Sequence, residues 1–514
     1  MKKILLVVTL VISIIPRCYS QNSWIDPDYW GYQFIEKMEA TGYCLDLALR
    51  TRPFSRDTFI KIIDQIQGHK NSLSESDRLH LLRLADDLRV TLSEPSTARW
   101  GDSSVKMDST RTSWSVRFNG RESLIRKNSA SVARIGWQSE TVLGLAAEWE
   151  IKTGIAIGVS AKGSLQKSEE GSGRQWDRFR SSPRVLVGAA QYSNQLLIFL
   201  RWQASWGQLF AGQSQLDWGP SYLGGLALSR NMPATPMLAM STQIGRFRLS
   251  SSHLFLNRDL GAKYLAAHRL DVEFNRFYLG FYETVIYGRR HLELSYLNPL
   301  MPYHIAEHHL GDRDNNMLGF DAAFFPTRSL KLYGEVFIDD MNTSESLLRY
   351  FGNKFAFTGG ALISNPLAIS DLSLRIEYTR VEPFVYTHWD SLNIYSYRDS
   401  NIGSWLGPNA DCLFLQMTYP VTPRVTIQGF AEYDRKGPGT ASTITRPPHK
   451  GTQKIFLGAT PETRKILGLE VQHLVTDKLT WSAAIARISR DNLAQILGQR
   501  IGHIWARLEI FFGF

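Results

Sequence analysis

Residues 304–316 read HIAEHHLGDRDNN, a run that could hold an ion or a ring of hydroxyls. Three histidines (304, 308, 309) and several acids invite a metal reading. The spacing matches no zinc pattern such as HExxH, although the oxygen donors alone would suit calcium. Asp312, Arg313, Asp314, Asn315 and Asn316 are dense in bidentate donors and acceptors, which suits carbohydrate hydroxyls or anions. A tight loop built on Asx turns has the same composition. A polar binding or packing loop is the preferred reading, with no metal and no cofactor expected.

Two further stretches offer aromatic faces among polar residues. Residues 216–236, LDWGPSYLGGLALSRNMPATP, carry Trp218, Tyr222 and Arg230 between glycine and proline clusters. Residues 385–411, VYTHWDSLNIYSYRDSNIGSWLGPNAD, carry His388, Trp389, Tyr395, Tyr397 and Trp405. Such rings stack on sugars, and some would equally serve as an aromatic girdle at a membrane interface. For catalysis the signals are thin. There is no GxSxG, and no Ser, His and Asp set has an informative spacing. No P-loop or dinucleotide fingerprint occurs.

The elements that must position these residues come from the rest of the chain. It opens MKKILLVVTLVISIIPRCYSQ: Lys2 and Lys3, an apolar run, Pro16, then Ser20 before Gln21. That is the pattern of a secretory signal peptide over residues 1–20, removed from the mature protein. Its loss takes away Lys2, Lys3 and Arg17, so the net charge of +10 becomes +7. The basic excess is diffuse, and no nucleic-acid partner is expected. A positive surface suits an acidic glycan or a lipid phosphate. Cys44 and Cys412 remain, in different regions, and imply no disulfide framework.

Residues 21–92 read as a small helical domain. Asp26 and Pro27 open a first helix carrying Trp30, Phe34 and Met38. Ser55 caps a second, which buries Phe59, Ile62, Ile63 and Ile66. Ser74 with Asp77 makes a capping-box variant ahead of Leu81, Leu84, Ala85 and Leu88. Residues 93–110 are polar and aperiodic, a linker.

From residue 111 to 514 the period is two. LSLRIEYTR sets Leu372, Leu374, Ile376 and Tyr378 against Ser373, Arg375, Glu377 and Thr379. LKLYGEVFID and TVLGLAAEWEI alternate likewise. The last stretch, HIWARLEIFFGF, puts Ile504, Ala506, Leu508, Ile510, Phe512 and Phe514 on one face. A soluble sandwich can alternate this way. Many such strands after a signal peptide fit a transmembrane barrel better, and open edges cannot stand in lipid. Short turns at NRF, PTR, SNPLAI, PVTP and TDK fall on one side. The long connections 288–317, 339–354, 381–410 and 435–463 fall on the other, provided 452–460 is loop. This predicts 16–20 strands, with short turns in the periplasm. The same parity puts 216–236 on the periplasmic side, folded into the barrel mouth. In the PTR hairpin, pairing Phe324 with Leu330 and Ala322 with Leu332 opposes Asp321 to Tyr333. Asp321 and Glu335 then become diagonal neighbours inside the barrel. They read as an acid/base pair, a cation site, a sugar clamp or, preferably, partners of interior Arg and Lys.

The chain resembles the capsule assembly Wzi family of outer-membrane proteins. The motifs are DWGPSYLGGLALSRNMPATPM, YLNPL, GDRDNNMLGFDAAF followed by LYGEVFIDD, and YTHWDSLNIYSYRDSNIGSWLGPNADCL. The resemblance implies a mainly β fold: an eighteen-stranded outer-membrane barrel with a periplasmic helical bundle. It implies a lectin-like role, holding capsular or exported polysaccharide at the cell surface; no enzymatic activity is expected, and a barrel hydrolase acting on lipid or glycan is the third reading. Outer-membrane lipid and lipopolysaccharide, the barrel assembly machinery and polysaccharide export proteins are the implied partners, and a sugar channel is the alternative. It carries over no catalytic residues. The candidate polysaccharide contacts are Asp312, Arg313, Asp314, Asn315, Asn316, His388 and Trp405, then Asp321, Tyr333 and Glu335 in the lumen, then Trp218 and Arg230.

Overall fold

A computed structural model describes residues 25, 29–45, 49–88, 113–127, 134–152, 155–168, 184–187, 190–256, 261–398, 400–441, 453–476 and 479–513. Side chains are given for these except most of 113–196 and part of 500–513. The signal peptide, the linker and Asp26 with Pro27 lie outside the described residues.

Most of the chain is one large antiparallel sheet. Strand Ser113–Lys127 pairs with Arg134–Lys152 on one side and with Arg500–Gly513 on the other, so the first and last strands of the sheet are neighbours. Its two faces invert the order of a soluble protein. Ile376 and Tyr378 are 45% and 40% exposed, while Glu377 between them is fully buried. Leu508 in the last strand is 52% exposed. A soluble sandwich would press those apolar faces together; here they point outward, as lipid contact requires.

The expected hairpins form. Lys263–Phe274 pairs with Phe277–Gly288, Lys354–Ser364 with Ser373–Val381, Ala410–Thr422 with Val425–Lys436, and Glu462–Thr476 with Leu479–Asp491. Residues 454–461 hold no strand, so the parity of the long connections stands. Two expectations are corrected. In the hairpin of Asn315–Thr327 with Leu330–Asp340, the chain turns at Arg328–Ser329 and a bulge between Phe324 and Thr327 adds one residue, so the register differs by two from the expected one. Asp321 therefore stands directly opposite Glu335, not opposite Tyr333, and Phe324 faces Leu332. The shift preserves which residues point inward, because the side-chain period is two. The second correction concerns 216–236. Tight turns join Ala190–Ala204 to Gly207–Ser214 and Thr235–Ile244 to Phe247–Phe255. Residues 215–234 thus leave the sheet at its long-connection end, not at the short-turn end, and run down its inner face.

Three helices, α1 (Gly31–Ala40), α2 (Arg56–Gly68) and α3 (Glu75–Leu88), pack their apolar stripes into a second core of Phe34, Met38, Phe59, Ile62, Ile66, Leu81 and Leu84. Ser55 caps α2 through Thr58 N, and Ser74 accepts from Asp77 N at 3.1 Å, as their sequence predicts. The domain is not wholly helical. Thr51–Arg52 is a two-residue strand that pairs with Asp217–Trp218 of the inner segment. A fourth helix, α4 (Tyr303–Leu310), forms where a polar loop was expected.

Candidate functional site

The inner face of the sheet is organised by carboxylates. Glu377 accepts from Ser221 Oγ (2.9 Å), Tyr222 N (2.7 Å), Leu223 N (3.0 Å) and the Tyr333 hydroxyl (2.7 Å). Glu335 Oε1 accepts from Leu226 N (3.1 Å) and the Tyr282 hydroxyl (2.8 Å). The irregular backbone of residues 221–226 would bury polar amides at great cost if they were left unpaired; these two side chains supply the missing acceptors. Asp321 turns the other way and takes two hydrogen bonds from Arg269, at 2.7 and 2.9 Å. Arg269 also donates to Asp271 at 2.6 Å. Gly225 fits here because a Cβ would meet the Trp218 carbonyl oxygen at 1.9 Å.

Asp321, Tyr333 and Glu335 are consequently buried and serve the interior, not an open surface. The bland sequence reading of the acidic pair, an internal brace with arginine, describes Asp321 well. Trp218 is also buried, paired through its backbone with Thr51. Arg230 donates to the Tyr222 carbonyl at 2.7 Å and helps fold the segment on itself. Sequence reasoning missed Glu377 as the main anchor. Its neighbours Arg375 and Tyr378 flagged only an ordinary alternating strand.

The three-helix bundle sits against the short-turn end of the sheet through charged contacts. Glu36 accepts from Arg375 at 3.2 and 2.9 Å and from Lys331 at 2.9 Å. Lys37 bridges Asp77 (2.6 Å) and Asp371 (2.9 Å), and Arg83 donates to Thr480 at 3.3 Å. Burial works against the Glu36 charge, yet Arg375, Lys331 and Arg52 together hold its carboxyl well below the usual range. Lys331 also reaches Glu39, which pairs with Arg50.

At the opposite end, the long connections are knit together. Arg290 and the Tyr296 hydroxyl both donate to Asp314, the latter at 2.7 Å. Asn315 Nδ2 donates to the Asn393 carbonyl (2.9 Å), and Asn393 Nδ2 returns a bond to the Arg313 carbonyl (2.8 Å). Lys263 binds the carbonyls of Ile394 and Ser396. Of the DRDNN run, Asp314 and Asn315 are buried clasps, and Asn316 lies half-buried on the outward-facing side of its strand. Asp312 and Arg313 are exposed.

His388 and Trp405 are nearly covered: His388 Nδ1 accepts from Asp390 N at 3.1 Å, and Trp405 lies 5.3 Å from the Arg464 guanidinium. Trp389, 54% exposed, is the open ring beside His388, their ring centres 5.1 Å apart. Arg289, largely exposed, donates to Asp390 at 2.8 Å and frames the same face. Burial and the nearby carboxylates of Asp314, Asp312, Asp340 and Glu283 push Glu307 on α4 up to about 8.

Among the described residues, the side chains of Cys412, Glu432 and Asp434 come close enough to share a metal ion. Arg464 already donates to both carboxylates at 2.6 Å, so a guanidinium holds the cation's place. Cys44 and Cys412 are both free and buried.

Residues 199–499 match the family model described as capsule assembly protein Wzi. This chain belongs to that family. Among solved structures, the chain is similar to Wzi of Escherichia coli, described as an outer-membrane protein involved in group 1 capsule assembly and a carbohydrate-binding β-barrel. The two share 14% identity with a TM-score of 0.61, covering 95% of this chain and 99% of the other. At that identity the likeness speaks for the fold. OprD of Pseudomonas aeruginosa (10% identity, 78% of this chain and 93% of that one, TM-score 0.42) is more distant. So is OpdK of the same organism with vanillate (8%, 78% and 98%, 0.43). No curated protein matches the chain. Membership in the Wzi family, with this barrel fold, puts the protein in the outer membrane of a Gram-negative bacterium.

Proposed function

We propose that this Wzi-family protein is a lectin-like anchor that binds capsular or exported polysaccharide at the cell surface during capsule assembly. The observation that carries the reading is the likeness, over 95% of the chain, to a barrel described as carbohydrate-binding. It is joined to a face of exposed aromatic and polar side chains on the clasped long connections. In this reading the sheet is an eighteen-stranded transmembrane barrel, with residues 21–92 in the periplasm and the long connections outside.

The contact surface is then Trp389, Arg289, Asp312 and Arg313. A sugar ring stacks on the exposed indole, and the guanidinium and carboxylate groups take hydroxyls or acidic substituents. Asp314, Asn315, His388 and Trp405 position that surface. Asp321, Tyr333, Glu335, Trp218 and Arg230 hold the inner segment. The protein works by binding, without catalysis. Its surroundings are lipopolysaccharide and lipid, its assembly uses the barrel machinery, and export proteins hand over the polysaccharide.

The alternative, a sugar channel, is opposed by the inner segment, which Glu335 and Glu377 fasten inside the sheet. The test is a deletion strain in which cell-attached and shed polysaccharide are quantified separately. The anchor reading expects polysaccharide to be made and released to the medium. Unchanged attachment with reduced sugar uptake would instead establish the channel.

A further inference from the structure

Helix α4 changes the meaning of the histidines at 304 and 308. As a loop their spacing matched nothing; as a helix it is one turn, which stacks both side chains on one face. Both residues are exposed, and their ring centres lie 4.5 Å apart. The helix beneath them is fixed. Tyr303 and Ala306 are buried, and the first backbone amides, Tyr303 N and His304 N, donate to Glu283 at 2.8 and 3.1 Å.

Gly311 ends α4 in the left-handed region (φ 94°), and Asp312 follows with φ 50°. That turn brings the Asp312 carboxylate back to His308 Nδ1 at 2.6 Å. A carboxylate there fixes the proton on Nδ1 and leaves the Nε2 lone pair free. Histidine ligands of metal ions are held by this same outer arrangement, which orients the ring and raises its basicity.

We propose that His304 and His308 form a two-point site for a divalent transition-metal ion of the zinc, nickel or copper class, with Asp312 orienting His308. Imidazole suits these ions, while calcium and magnesium prefer oxygen donors. Rings at this separation need only side-chain rotation to set one nitrogen of each about 2.0–2.1 Å from a shared ion. Two histidines leave the remaining coordination positions to water or to an incoming oxygen ligand. The proposal stands independently of the polysaccharide reading.

The experiment is calorimetric titration of the full chain in detergent, without a polyhistidine tag, using zinc chloride. One ion per chain is expected. His304→Ala and His308→Ala should each abolish that event, and Asp312→Asn should weaken it about tenfold or more. His291→Ala, another exposed histidine in the same connection, should leave it unchanged. All four positions are exposed, and a circular dichroism spectrum matching the parent confirms that each variant folds. Absence of zinc binding, or binding that survives the His304→Ala, His308→Ala double substitution, would overturn the proposal and leave the histidines as a helix-end pair only.

Discussion

Glu36 of the helical bundle and Arg375 of the sheet form a two-pronged ion pair, at 2.9 and 3.2 Å, with both side chains nearly inaccessible to water. Lys331 shares the same carboxylate. Removing the acid leaves the buried Arg375 without its carboxylate and Lys331 with Glu39 alone, and breaking such a pair from one side costs about 3–5 kcal/mol. Glu36→Ala is therefore expected to release the bundle while the sheet persists. Limited proteolysis should cut within residues 31–88 at lower protease concentration, and the heat-dependent gel mobility of the barrel should not change. Equal protease resistance in variant and parent would show that the apolar contacts alone seat the bundle.

Glu377 is the counterpart for the inner segment. Its four hydrogen bonds tie residues 221–223 and Tyr333 to one strand. Glu377→Ala leaves the buried amide of Leu223 and the half-buried amide of Tyr222 without acceptors, about 1–3 kcal/mol for a fully buried group. In planar bilayers the parent protein is expected to be nearly silent, and the variant to pass ions in discrete openings. Silence in both would mean that the remaining contacts, including Glu335 with Leu226, hold the segment alone.

Trp389 tests the proposed glycan surface. The ring is exposed and carries no structural hydrogen bond in the described contacts, so Trp389→Ala should leave the melting temperature within about a degree of the parent, in keeping with surface substitutions near ±0.5 kcal/mol. Retention of polysaccharide on immobilised protein should fall about tenfold or more, the scale of an aromatic hot spot. Arg289→Ala should fall less. Full retention in both variants would move the binding surface elsewhere on the long connections.

His388 gives a pH dependence with a definite sign. Burial holds its pKa below the ordinary histidine value, so the folded connection keeps the ring neutral. The unfolded segment then binds the extra proton. The stabilisation is complete above the unfolded pKa of about 6.5 and is lost as pH falls below it, down through the lowered folded value. Protection of the amides across residues 382–398, with the base-catalysed intrinsic exchange rate divided out, should be lower at pH 5.5 than at pH 7.5, and His388→Gln should flatten the difference. Protection independent of pH in the parent would remove His388 from this role.

The parts of the molecule governed by neighbouring residues were legible in the sequence. Ser55 and Ser74 announce their helices because a cap is a contact over three positions. Leu372 to Thr379 announces a two-faced strand because alternation is local, and the turns between hairpins are local too. The register of Asp321 against Glu335 was missed because the position of the turn at Arg328–Ser329 and a bulge after Phe324 are both invisible to a count of alternating residues. Helix α4 was missed because eight residues with only Tyr303 and Ala306 buried make no apolar stripe. The role of Glu377 was beyond reach: Ser221 lies 156 positions away. The candidate site shows the same division. Asp314 and Asn315 have the chemistry of sugar ligands, and only the fold reveals that Tyr296, Arg290 and Asn393 have already claimed it.

The two-rung ladder between Thr51–Arg52 and Asp217–Trp218 joins a segment descending from one end of the sheet to a domain seated at the other. Thr51 also donates to Asp271 on the sheet wall, and Gly219 N donates to the Arg50 carbonyl. Neither piece is finished without its mate: each lends the other the strand neighbour that satisfies its backbone. In folding terms they make one cooperative unit stitched from distant parts of the chain, so a disturbance in either is felt by both. The long connections, through the Tyr386 hydroxyl on the Leu226 carbonyl and the Tyr395 hydroxyl on the Ala227 carbonyl, rest on that same unit. A load placed on them is carried down the inside of the sheet to the helical bundle by a chain of hydrogen bonds, like weight passing down a column to its footing.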